Sequence, residues 1–268
     1  MVAFPGCKIN LGLQVLAKRQ DGYHDISTCY FPVPWSDVLE ILPASEEGFY
    51  QTGLNIPGNA KDNLCNKAYE LLQWDFEIPP IQLHLHKIIP PGSGLGGGSA
   101  DAGHTLRTLN ALFDLGISQQ QLMTYAGKLG SDCTFFIRDH PSMGSGRGEI
   151  LKDVRVALQG YYLALLVPPV HLSSAEAYSK VIPRIPELDI HTQLQRPVSQ
   201  WKEGLANDFE PIAFERFPVL PELKEKLQSL GAIYSSMSGS GSSIYGIFEK
   251  EISLKENFSE LSGWAGWL

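Results

Sequence analysis

The densest run of residues with chemical potential is Pro90-Pro91-Gly92-Ser93-Gly94-Leu95-Gly96-Gly97-Gly98-Ser99. Four glycines occupy the five positions from Gly94 to Gly98. Such a backbone has little side-chain cover, so several of its N–H groups can approach one anion. A helix opening at the end of the run adds unpaired N–H donors and partial positive charge. Ser99 adds a hydroxyl at that helix start. Together these features suit a triphosphate. The run is not a Walker loop: Gly92 and Gly97 have the spacing, but Gly98 stands where that motif needs Lys. Gly92-x-Gly94-x-x-Gly97 also matches the dinucleotide fingerprint, but the acidic residue expected about 20 positions on, at the end of a second strand, is missing. The remaining alternative is a purely structural glycine turn. A second cluster, Met237-Ser238-Gly239-Ser240-Gly241-Ser242, lies far downstream.

Other residues are ambiguous by themselves. Lys8 interrupts an apolar strand, and its amine could simply reach water. Asn10 shares the face of Lys8 by the period of two. Asp132 follows a helix stop at Gly130 and reads alone as an ordinary polar residue. Tyr23 and His24 follow the polar turn Arg19-Gln20-Asp21-Gly22 and read alone as surface groups. His84 and His86 alternate outward on a strand and read as solvated.

The elements that must position these residues follow from periodicity. Cys7, Ile9, Leu11 and Leu13 alternate with Lys8, Asn10, Gly12 and Gln14, which predicts a strand. Cys29–Val33, Val38–Leu42, Ile81–His86, Tyr161–Val167 and Ile244–Phe248 are further strands. Helical spacing covers Asn63–Trp74, Ser99–Leu115, about Ser118–Leu129 and Leu220–Leu230. Ser118 and Gln121 have capping-box spacing, and Gly116 and Gly130 are stops. Strands and helices mix without a regular βαβ repeat, which points to an α+β fold. The tail from Phe258 to Leu268 has no functional reading.

The chain has 268 residues, 43% of them hydrophobic, and a formal net charge of -8. That size suits one large domain or two lobes. An acidic chain without a basic block is a poor binder of nucleic acid, though backbone N–H groups can still hold a small anion. Cys7, Cys29, Cys65 and Cys133 form no C-x-x-C pair and are expected to be reduced core residues. No signal-like segment or membrane-length apolar run is visible, so a cytoplasmic protein with no membrane partner is expected.

Taken together, the motifs resemble the GHMP kinase superfamily. Pro91-Gly92-Ser93-Gly94-Leu95-Gly96-Gly97-Gly98-Ser99-Ala100-Asp101-Ala102 is similar to its ATP loop, and the Met237–Ser242 cluster to its C-terminal glycine motif. Cys7-Lys8-Ile9-Asn10-Leu11-Gly12-Leu13, followed by Arg19-Gln20-Asp21-Gly22-Tyr23-His24, resembles the branch that phosphorylates a cytidine diphosphate-linked methylerythritol for isoprenoid precursors. The resemblance implies a two-lobed α+β fold, with a ribosomal protein S5 domain 2-like lobe over residues 1–155 and a ferredoxin-like lobe over 156–268. It implies ATP on Pro90 to Ala100, Mg²⁺ near Ser99, and Lys8 and Asp132 as the catalytic pair. Asn10, Tyr23, His24 and Tyr178 would bind substrate, with Tyr23 and Tyr178 stacking on cytosine and His24 bonding its edge. The family commonly has Val-Pro after the aspartate, where this chain has Cys133-Thr134. Asn207-Asp208-Phe209-Glu210 resembles a family segment that either contacts ligand or enters a helix. A monomer or weak homodimer is expected.

Overall fold

The structure, a computed structural model, describes all 268 residues. In chain order the elements are β1 (Val2–Ala3), β2 (Gly6–Lys18), β3 (His24–Ser36), β4 (Val38–Pro43), β5 (Gly48–Gly53), α1 (Leu64–Asp75), β6 (Ile81–Lys87), α2 (Gly97–Leu112), α3 (Gln119–Leu129) and α4 (Cys133–Arg138). There follow β7 (Ser142–Ser145), β8 (Ile150–Asp153), β9 (Tyr162–Val167), α5 (Ser174–Lys180), α6 (Ile190–Leu194), α7 (Glu210–Arg216), α8 (Val219–Ser229), β10 (Tyr234–Met237), β11 (Ile244–Phe248), α9 (Leu254–Asn257) and β12 (Ser262–Trp267). No helix is long and apolar enough to cross a membrane.

The chain forms two compact units, and neither is continuous in sequence. One gathers Met1–Lys8, Pro32–Pro91 and Gly96–His140; the other gathers Ile9–Phe31, Gly92–Leu95 and Pro141–Leu268. The expected division between 155 and 156 differs from this partition. The reason lies in β2 and β3, each of 13 residues, which start in one unit and end in the other.

The first unit holds the sheet β1-β4-β6-β5, antiparallel except for the β5–β6 pair. Ile81, Leu83 and Leu85 alternate inward on β6 and meet Ala102, Leu106 and Leu109 of α2 and Leu72 of α1 in one apolar cluster. Asn63 caps α1 through Cys65 N, and the capping box between Ser118 and Gln121 starts α3 as the spacing predicts. α2 begins at Gly97, two residues before the predicted start. His84 is not simply solvated: it is half-buried and stacks on Tyr50 of β5 at 4.6 Å. His86 is exposed, as expected, and shares a 2.8 Å hydrogen bond with Thr52. The parallel β5, which no sequence pattern announces, covers His84.

The second unit holds the sheet β10-β11-β9-β12 and most of the sheet β2-β3-β7-β8. β2 is buried on both faces from Cys7 to Val15, so its alternation does not mark a wet side. The tail becomes the edge strand β12, with Trp267 packed edge-on against Tyr162. All four cysteines are free and buried.

His104 on α2 adds a pH dependence. Burial, and then the Arg107 guanidinium, push its imidazole down to about 4, against the opposing pull of Asp139. A histidine depressed on folding is protonated first in the unfolded chain. Its contribution is complete above about 6.5 and is lost as pH falls towards about 4. His104→Gln should therefore flatten the fall in urea midpoint between about pH 7 and about pH 5. Parallel curves for the two proteins would rule out His104 as a source of that fall.

Candidate active site

Within the first unit, Lys8 is the third residue of β2 and Asp132 immediately precedes α4. Lys8 is buried, which excludes an amine that merely reaches water. Its Nζ lies 3.4 Å from Asp132 Oδ2, with side-chain exposures of 4% and 34%. The pair thus has a closed cationic side and a carboxylate open to solvent. Asp132 stands at the N-cap position of α4, but its side chain does not cap that helix. Gly96 keeps the space clear: a Cβ there would lie 3.2 Å from Lys8 Cε and 3.1 Å from the Phe136 ring. The Cys133-Thr134 departure is absorbed locally. Thr134 Oγ1 donates to Ser131 O at 2.8 Å, so a hydrogen bond braces the turn that a proline would stiffen.

The glycine run divides between the units at Leu95 and Gly96. In the first unit, left-handed Gly96 (φ +70°) is the N-cap of α2, and Gly97, Gly98 and Ser99 form its first turn. Their N–H groups precede any i−4 partner in the helix. Gly98 is exposed, and a Cβ on it would meet nothing within 4 Å. Ser99 is half-buried and Ala100 fully buried.

In the second unit, Gly92–Leu95 lies against the downstream glycine cluster. Pro90 and Pro91, of the first unit, lead into it. Gly92 (φ +67°) and Gly94 (φ +81°) are both left-handed. Ser238 Oγ donates to Gly94 O at 3.0 Å, and Ser243 N donates to Ser93 O at 3.0 Å. His171 Nδ1 lies 2.9 Å from Gly92 O. A Cβ on Gly94 would sit 2.2 Å from Ser238 O. The two glycine clusters are therefore in close contact.

Asn10 serves that contact. Its Nδ2 donates to Thr28 Oγ1 at 2.8 Å, its backbone N to Ser238 Oγ at 3.3 Å, and its backbone O accepts from Tyr245 OH at 2.8 Å. Asn207 holds the far side, donating from Nδ2 to Met237 O and Gly239 O, both at 2.8 Å, while Oδ1 accepts from Phe209 N. In the same segment Glu210 accepts from Ser236 Oγ and Met237 N. The segment 207–210 thus braces the downstream cluster. The sequence singles out Asn10 but not Ser238, Thr28 or Tyr245 as its partners, which are more than 200 positions or a strand away.

The aromatic group is also in the second unit. His24 is nearly buried and stacks on Tyr178, with ring centroids 5.1 Å apart and an interplanar angle of 22°. Tyr178 in turn packs edge-on against Phe209 at 4.8 Å. Burial, and then Lys18, hold the His24 imidazole below its ordinary value. Tyr23 is 55% exposed, and the Arg147 guanidinium lies 4.8 Å over its ring. The turn before it is closed by Gly22 N donating to Arg19 O and by Arg19 pairing with Asp21 and Asp25. Arg147 was not singled out from sequence, although it lies in the glycine-rich turn Gly146-Arg147-Gly148.

A family model described as the GHMP kinases N terminal domain matches residues 63–140, and one described as GHMP kinases C terminal matches residues 193–262. The glycine loop at the start of α2, the Lys8–Asp132 pair and these matches define a GHMP kinase. The 4-diphosphocytidyl-2-C-methyl-D-erythritol kinase of Bacteroides thetaiotaomicron is 47% identical over 260 residues, 96% of this chain and 95% of that protein. The one from Parabacteroides distasonis is 45% identical over 270 residues, covering 100% of both. A crystal structure of 4-(cytidine 5'-diphospho)-2C-methyl-D-erythritol kinase superposes with a TM-score of 0.84 at 29% identity, covering 99% of this chain and 98% of that one. The chain belongs to the 4-diphosphocytidyl-2-C-methyl-D-erythritol kinase family. A mevalonate kinase structure, with a TM-score of 0.75 at 12% identity, shares the fold.

Proposed function

We propose that this protein transfers the γ-phosphate of ATP to the 2-hydroxyl of 4-diphosphocytidyl-2-C-methyl-D-erythritol, giving the 2-phosphate and ADP, in isoprenoid precursor biosynthesis. The observation that carries the reading is the 3.4 Å pairing of buried Lys8 with half-open Asp132. Phosphoryl transfer asks the protein mainly for position and charge. Asp132 takes the hydroxyl proton as the new O–P bond forms and the bond to the β-phosphate oxygen breaks. Lys8 orients that carboxylate and offsets negative charge at the attacking oxygen. The first-turn N–H groups of α2 and the glycine backbone hold the phosphates.

Mg²⁺ belongs to the same proposal. Ser99 contributes one half-buried hydroxyl, which fits an ion that keeps waters and takes its other oxygens from phosphate. When bound, that ion neutralises phosphate charge.

Tyr23, His24 and Tyr178 read the cytidine. A neutral His24 offers one donor and one acceptor nitrogen, which suits the mixed polar edge of cytosine. The downstream motif and Asn10 hold the loop that carries ATP. The reduced, buried thiols suit a cytoplasmic enzyme. Tyr23→Ala should raise KM for the cytidyl substrate by about 5- to 150-fold, the equivalent of about 1–3 kcal/mol of lost stacking, with KM for ATP unchanged. A rise confined to ATP would mean Tyr23 serves the other nucleotide. The function itself is tested by kcat/KM for the cytidyl substrate, mevalonate and homoserine side by side. Turnover of either of the last two, without the first, would overturn the proposal.

A further inference from the structure

Beneath the start of α2, within the first unit, lies a charged cluster that the catalytic account leaves unused. Lys87, the last residue of β6, is only 2% exposed. Its ammonium donates to Asp37, and to Asp101 Oδ2 at 2.7 Å. Asp37 is itself fully buried and also accepts from the backbone N–H groups of Ile88 and Ile89. Asp101 is 2% exposed, and its second oxygen, Oδ1, has no partner.

A buried charge cluster of this kind is poor value as a stability device. Removing three charges from water costs several kcal/mol per ion, and apolar replacements of equal volume often do as well. Its location is more informative. The ammonium abuts the opening residue of α2: a Cβ on Gly97 would lie 3.0 Å from Lys87 Nζ and 3.0 Å from the Ile89 side chain. Asp101 is the fifth residue of the same helix. Lys87 therefore lies beside the first residue of α2 and, through Asp101 one turn further on, ties the start of that helix to the end of β6 and to the residue that joins β3 to β4. Burial pushes the Asp101 carboxyl up to about 7, with Lys87 opposing and Asp37 adding to the rise. Burial alone would lower Lys87, but Asp101 and Asp37 outweigh it and hold the ammonium above its ordinary value.

We propose that Lys87, clamped by Asp37 and Asp101, is a positioning residue for ATP: it sets the first turn of α2 so that the N–H groups of Gly97, Gly98 and Ser99 converge on the phosphates. The inference rests on the kinase reading above. Preorganised donors are what a loose, highly charged transition state requires, and a bare glycine backbone does not hold them in place unaided.

The test compares wild type with Lys87→Met and with the charge-balanced double variant Lys87→Met/Asp101→Asn, in which Asp37 keeps its two backbone donors. The readouts are ATP affinity by calorimetry and KM for ATP and for the cytidyl substrate. The expected result is at least a tenfold weaker ATP affinity and a matching rise in KM for ATP, with KM for the cytidyl substrate unchanged. A merely structural role would reduce the amount of active enzyme and leave both KM values alone. Wild-type KM for ATP in the folded double variant overturns the proposal. So does failure of both variants to fold, which makes the cluster a folding element. If wild type itself binds no ATP, the kinase reading fails instead, and the two failures are distinguishable.

Discussion

Asp132→Asn is expected to lower kcat by about 10²- to 10⁴-fold while leaving ATP affinity within about twofold of wild type. The amide keeps the shape of the carboxylate but cannot take the hydroxyl proton. It also ends the ion pair with Lys8, whose partner oxygen is 3.4 Å away. The Asp132 side chain is 34% exposed and does not cap α4, so any loss of stability comes from the ion pair with buried Lys8. The N–H donors of α2 are backbone groups and remain, so nucleotide binding survives. Single-turnover measurement with saturating ATP separates the steps. A kcat within threefold of wild type would remove Asp132 from proton transfer. Loss of ATP binding with no loss of kcat would move it to the nucleotide.

Gly94→Ala should damage fold and nucleotide binding together. The left-handed backbone at φ +81° costs alanine about 1–2 kcal/mol by itself. The new Cβ would also meet Ser238 O at 2.2 Å and Gly241 O at 2.9 Å. Both obstacles are backbone carbonyls, so no rotamer change relieves them, and the loop must withdraw from the downstream cluster. The hydrogen bond from Ser238 Oγ to Gly94 O goes with it. A fall in Tm of about 5–15 °C is expected, from about 2–4 kcal/mol of lost stability, together with at least a tenfold rise in KM for ATP. Gly98→Ala is the internal control for stability. Its Cβ meets nothing within 4 Å and its φ is not left-handed, and alanine favours helix over glycine by about 1 kcal/mol, so Tm should hold or rise. Equal Tm values for the two variants would contradict the close approach of the two glycine clusters.

How far the sequence reaches differs by element. Local signals were sufficient where a residue and its reason are neighbours: the capping box at Ser118 and Gln121, the stop at Gly130, and the glycine run that opens α2. They failed where the reason is remote. The parallel strand β5 has no strong alternation and exists because β6 pairs with it from Gly48 to Gly53. Lys8 looked like a surface lysine until both faces of β2 proved buried. Lys87 carried no motif, and its two partners stand 50 and 14 positions away. The discontinuous units follow from two long strands that no composition shift announces. For Tyr178, only resemblance placed it near His24, and the 5.1 Å stack brings the two rings together.

The central claim is phosphorylation at the hydroxyl on carbon 2 of the methylerythritol, which the name of the substrate makes a tertiary alcohol. Carbon 2 bears the methyl group and no hydrogen. Proton-coupled phosphorus NMR of the product formed with ATP therefore distinguishes the positions directly. A new phosphomonoester resonance with no three-bond coupling to hydrogen is the predicted result. A doublet, from carbon 3, a triplet, from carbon 1, or no new phosphomonoester at all would contradict it.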